Sequence, residues 1–144
     1  MEIFRTLERD DAALVGWGVS VLLATSQGSA GQIARRIAGL GGSVLVQDEL
    51  YYALGMLLDD PRSAQMLVID CDAFGGMEQG RRAFATLADD HAQVPVVLIS
   101  AQCPEQVFSD GREAPIILRA PVSAVSLRVA FEVAFRWRFV QGTD

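Results

Sequence analysis

Short apolar runs alternate along this chain with stretches in which apolar residues recur every three or four positions. The runs are Val19 to Ala24, Ser43 to Gln47, Met66 to Asp70, Val94 to Ile99 and Pro115 to Leu118. Their length and sharp bounds predict five strands. Met66 to Ile69 are apolar without alternation, the pattern of a strand buried on both faces of a parallel sheet. Between the runs, Ile33, Ile37 and Leu40, then Leu50, Leu54, Leu57 and Leu58, then Ala83, Phe84 and Leu87 fall at helical spacing. A last helix from about Val122 to Val140 carries Leu127, Phe131 and Ala134 on one stripe and Val125, Val129 and Val133 on another. Two stripes are more apolar surface than one sheet face covers.

Local signals place the boundaries. Ser29 and Gln32 have the spacing of a capping box, Asp48 stands where it can cap the second helix, and Pro61 stops that helix. The third helix is expected from about Glu78 to Ala88. Pro104 after Cys103 marks a helix start, and Gly111 limits that helix to two turns. Ile3, Phe4, Leu7 and Leu14, spaced among charges, predict an added N-terminal helix over residues 1–15, ahead of a domain over 16–144. Five strands alternating with helices through tight loops predict an α/β fold of three layers, a parallel sheet with helices on both faces.

The 144 residues, half of them apolar, suit one domain with a substantial core. A net charge of -6 argues against a nucleic-acid partner, and the basic pairs Arg35 and Arg36, Arg81 and Arg82, and Arg136 and Arg138 read as solvated helix faces. No apolar run is long enough to span a membrane and the N-terminus lacks the order of a signal peptide, so a cytoplasmic location is expected. Cys71, Cys103 and the single histidine, His91, cannot make a zinc site. Both cysteines follow strand ends at one edge of the sheet, which leaves a redox pair open beside two inert, partly buried thiols.

Asp70 carries the most specific signal. It ends the third strand, a glycine-rich loop follows it, and the carboxyl ends of strands in open α/β sheets border the crevice where ligands bind. From about residue 19 to 140 the chain resembles the receiver domains of two-component response regulators, the CheY-like branch of the flavodoxin-like fold. MLVID matches the family's third strand, with Asp70 at the phosphate-accepting aspartate. VPVVLIS matches the fourth, with Ser100 at the switch serine or threonine. IILRAP matches the fifth, with Pro121 at the proline that follows a cis peptide bond. The resemblance implies strand order 2-1-3-4-5, phosphorelay signal transduction, a histidine kinase or downstream protein as partner, and magnesium as the metal.

The departures fall on the chemistry. The family's acidic pair would lie within Ala24, Thr25 and Ser26, which are uncharged, so magnesium would rest weakly on Asp70 with help from Asp72. The family's lysine corresponds to Ala120. Arg119 stands one residue early, and strand alternation points it the other way. The loop after Asp70 lacks the family's proline and is longer at Phe74 to Met77, and the fifth strand has no aromatic switch residue. An acceptor without its catalysts predicts an atypical or pseudo-receiver, not an enzyme, that acts by protein–protein interaction with Asp70 phosphorylation weak or absent. Asp70 reads equally as a carboxylate capping the next turn, and Ser100 as a hydroxyl donating to a nearby carbonyl. Asp72 and Glu78 read as solvated loop acids. The interface is expected on Val125, Val129, Val133 and Trp137 of the last helix, against a partner or a second copy, unless residues 1–15 cover that stripe. The alternative is an FMN- or nucleotide-phosphate-binding flavodoxin-like protein using the loop Thr25 to Gly31, whose plainer reading is a helix start with permissive glycines.

Overall fold

The computed structural model describes residues 15–90 and 93–136. The expected N-terminal helix, His91, Trp137 and the end of the last helix lie outside the described residues. Five strands form one parallel sheet: β1 (Ser20–Ala24), β2 (Ser43–Gln47), β3 (Met66–Asp70), β4 (Val96–Ser100) and β5 (Ile116–Arg119), in the order β2-β1-β3-β4-β5. Among the described residues four α-helices accompany them: α1 (Gln32–Gly39), α2 (Leu50–Asp59), α3 (Met77–Asp89) and α4 (Ala124–Ala134), with a 3-10 turn at Cys71–Phe74.

Alternation along the strands divides the core in two. Val21, Leu23, Met66, Val68, Val97 and Ile99 pack under α1 and α4 against Ile37, Leu127 and Phe131. Leu22, Leu67, Ile69, Val96 and Leu98 face the other way, toward Leu54 and Leu57 of α2 and Ala83 and Leu87 of α3. β3 and β4 are buried along their whole length, as unalternating apolar runs require, whereas β2 is an edge strand with Leu45 exposed. Among the described residues no helix is long and apolar enough to cross a membrane.

Three local expectations are corrected. Ser29 does not cap α1: Gly31 holds the N-cap position with no side-chain bond, because residues 28–31 close a turn of their own in which Gly31 N–H donates to Gly28 C=O at 3.2 Å. Asp48 does not cap α2, where Glu49 is the N-cap and its side chain makes no capping bond. No helix follows Pro104. The segment runs extended instead, and Val107 pairs antiparallel with Ile117 of β5 through both backbone bonds, 2.9 and 2.8 Å. Two side chains hold it there. Arg119 donates from Nε to Cys103 C=O at 3.1 Å and from Nη2 to Pro104 C=O at 2.6 Å, and Gln106 Oε1 accepts from Arg119 N–H at 3.0 Å. These bonds satisfy carbonyls and the outer edge of β5, and a two-turn helix has too little intrinsic stability to compete with them.

Candidate functional site

The carboxyl ends of β1, β3 and β4 and the peptide after β5 border a cleft of about 400 Å³, lined by Ser26, Gln27, Asp70, Asp72, Ala101 and Ala120 among others. Asp70 enters it from the last position of β3, 8% exposed. Its Oδ2 accepts a hydrogen bond from Thr25 Oγ1 at 2.8 Å. Thr25 is fixed for that role: its N–H continues the β1–β2 ladder to Gln47 C=O at 3.0 Å, and its Oγ1 accepts from Gln27 N–H at 3.2 Å. Burial pushes the Asp70 carboxyl above its ordinary value of 3.8; the Thr25 bond opposes this, and the neighbouring charge of Asp72 adds to it.

Asp72 lies two residues on, in the 3-10 turn. Its Oδ1 accepts from Ser100 Oγ at 2.5 Å and its Oδ2 from Ala101 N–H at 2.8 Å. Asp72 is exposed, as a loop acid is expected to be, but it is held by two donors, and Ser100 donates to this carboxylate and not to a carbonyl. Ser100 Oγ in turn accepts from Gln102 N–H at 3.0 Å, while Gln102 Oε1 accepts from Met77 N–H at the start of α3 at 2.9 Å. The turn after β3 and the turn after β4 are thus bonded to each other at three points. Gly76, with φ of 118°, is needed in this contact, since a Cβ there would stand 2.8 Å from Gln102 Oε1. Glu78 is exposed and pairs with Arg82 across one helical turn.

Among the described residues the cleft offers a divalent cation few free ligands. Both oxygens of Asp72 are engaged by donors, one oxygen of Asp70 is held by Thr25, and among the described residues no group of three metal-binding side chains converges. Among the described residues that line the cleft there is no cation either. Ala120 occupies the position beside the Ala120–Pro121 peptide, which is cis, and the Arg119 guanidinium is bound to the carbonyls of residues 103 and 104. In the loop Thr25 to Gly31 three amides are already committed: Thr25 N–H to Gln47 C=O, Gln27 N–H to Thr25 Oγ1 and Gly31 N–H to Gly28 C=O.

The remaining candidates lie apart from the cleft. Cys71 and Cys103 are both buried and free; burial pushes the Cys71 thiol up to about 12, and its Sγ packs against α3 at Gly80. On α4, Val125 is 72% exposed while Val129 and Val133 are half-buried. Sequence reasoning missed the Asp72–Ser100 bond and the part played by Thr25. A polar residue at each strand end was the only signal available, and partners 28 and 45 positions apart are not readable from spacing.

No protein-family model matches the sequence, and no curated protein matches it. Solved structures do. The response regulator PhyR from Brucella abortus superposes with a TM-score of 0.64 at 18% identity over 98% of this chain, which spans 58% of that one. A response regulator receiver domain protein from Clostridium thermocellum gives 0.65 at 15% identity, covering 85% of this chain and 98% of that. The receiver domain of the Francisella response regulator 1452 gives 0.64 at 20% identity, covering 83% and 98%. The likeness is one of fold: the chain has the CheY-like receiver architecture.

Proposed function

We propose that this chain is a receiver-like module of two-component signalling that works by protein–protein recognition, with phosphorylation of Asp70 weak or absent. The observation that carries the reading is the state of Asp70. It stands where the receiver fold presents a carboxylate to its cleft, and its nearest partner is the neutral hydroxyl of Thr25. Phosphoryl transfer relies on positioning and on neutralising charge, and neither a free second carboxylate to hold a metal nor a cation faces Asp70 among the described residues. Loss of those groups leaves the scaffold and its surfaces intact. A histidine kinase or a downstream protein is the partner class, and the α4 row Val125, Val129 and Val133 is the face we assign to it.

Intact-mass measurement after incubation with magnesium and acetyl phosphate tests this. The expected result is no phosphoryl adduct, or a minor one. A near-stoichiometric adduct that disappears in Asp70→Asn overturns the reading.

A further inference from the structure

We propose that residues 1–14 dock as a strap along the groove between α1 and the start of α4, with the Asp10 carboxylate accepting from the Arg36 guanidinium. The strap is independent of the signalling reading and of whether Asp70 is ever modified. The groove holds about 440 Å³ and is lined by Gln32, Arg35, Arg36, Gly39 and Leu40 along α1 and by Ala124 at the start of α4. Two arginines give it a positive wall. Arg35 is exposed, but Arg36 is half-buried and is not the solvated group that its place in a basic pair suggests. Its Nε is buried and has no hydrogen-bond partner. Donors shut off from water are nearly always found with an acceptor, and a carboxylate is the acceptor that matches the guanidinium fork.

The point at which the chain enters the fold identifies the occupant. Val15 is 2% exposed, and Gly16 N–H donates to Leu40 C=O at 2.9 Å, an approach so close that a Cβ on Gly16 would stand 2.7 Å from that oxygen. Residues 1–14 therefore arrive beside the groove. Arg36 lies about one turn, roughly 6 Å, before Leu40 along the helix axis, and the chain from Asp10 to Val15 can span up to about 17 Å. Spacing within the segment singles out the acid. Asp10 stands seven positions after Ile3, three after Leu7 and four before Leu14, in the register of the apolar residues, whereas Glu8 falls outside it. A carboxylate in an apolar stripe is costly unless a cation meets it. Arg36 is that cation, and its orphaned Nε is the donor that the acid lacks. Val125, Val129 and Val133 do not line the groove, so the strap leaves that row open to a partner.

The test uses the full-length ¹⁵N-labelled chain and reads the Arg36 Nε–H, whose exchange with solvent reports on its acceptor. In Asp10→Ala this exchange is expected to be roughly tenfold faster than in wild type, as loss of a charge-assisted bond implies. Glu8→Ala, outside the register, should leave it unchanged. Urea unfolding gives a second readout through a double-mutant cycle with Arg36→Met, which keeps the apolar stem and removes the charge. Asp10→Ala should lower the folded-to-unfolded ratio several-fold more in the wild-type background than in Arg36→Met. An Arg36 Nε–H unchanged in Asp10→Ala, an equal change in Glu8→Ala, or additive effects of Asp10→Ala and Arg36→Met overturns the proposal. So does protection of the Nε–H that is lost on dilution, which would assign the groove to a second copy of the chain.

Discussion

Thr25 Oγ1 donates to Asp70 Oδ2 at 2.8 Å, linking the ends of two adjacent parallel strands through a largely buried carboxylate at the floor of the cleft. The bond is the one local interaction that favours the charged form of Asp70, while burial and the charge of Asp72 disfavour it. Removing the hydroxyl leaves a buried carboxylate with no partner. Thr25→Val is therefore expected to raise the Asp70 pKa further and to cost about 2 kcal/mol at neutral pH, measured by NMR titration of the carboxyl carbon and by urea unfolding.

The same shift makes stability depend on pH with a defined sign. Below 3.8 Asp70 is protonated in both the folded and the unfolded chain and contributes nothing unfavourable. Above 3.8 the unfolded chain releases its proton first, so stability falls as pH rises through the higher folded-state value and then levels off. Asp70→Asn has no such loss. It should be more stable than wild type at pH 7 by on the order of 1 kcal/mol, an advantage that disappears in thermal melts below pH 3.8.

Gly80 of α3 lies over the sheet with no room for a side chain. A Cβ would collide with Cys71 Sγ and stand 3.1 Å from Leu98 Cδ2, both buried and fixed. Gly80→Ala gains helix propensity but loses more by overpacking, so a net destabilisation of about 1–2 kcal/mol is expected in urea unfolding, partly relieved by Cys71→Ala. The same enclosure, with the Cys71 thiol at about 12, predicts no reaction of Cys71 with a thiol-specific disulfide reagent at pH 8 until the chain is unfolded.

Arg119 is a clasp on the segment between β4 and β5. Its guanidinium holds two successive carbonyls, a planar fork that lysine cannot reproduce. Arg119→Ala and Arg119→Lys should both speed amide exchange at Val107 and Ile117, whose pairing closes the edge of β5, and should cost about 1–2 kcal/mol.

The strands were legible in the sequence because each is a short apolar run, and all five lie within two residues of their expected bounds. The sheet order followed from the family resemblance carried by the residues around Asp70, Ser100 and Pro121. What escaped was non-local. Pro104 reads as a helix start by every nearby signal, yet the segment is fixed by Arg119 and by Ile117, thirteen and more positions away. Ser29 and Asp48 have capping chemistry but lie outside the positions where the helices begin. In the cleft, the uncharged residues Thr25, Ser26 and Ala120 were legible from the sequence. The hydrogen bonds found there, Thr25 to Asp70 and Ser100 to Asp72, depend on strands brought side by side by the sheet.

The missing charges also predict a gain of function. Ser26 and Ala120 both line the cleft beside Asp70. Ser26→Asp together with Ala120→Lys returns a free carboxylate and a cation to it, and should raise the yield of the acetyl phosphate adduct roughly tenfold or more over wild type, with Asp70→Asn abolishing the gain.

The most direct test of the central claim, that Asp70 stands in a receiver cleft without the groups that would make it reactive, is the ¹H–¹⁵N spectrum of the wild-type chain titrated with magnesium and beryllofluoride. The account predicts that the amides of Asp70, Ser100 and Ala101 stay where they are. A second set of resonances for these residues, growing in slow exchange to saturation and absent in Asp70→Asn, would contradict it.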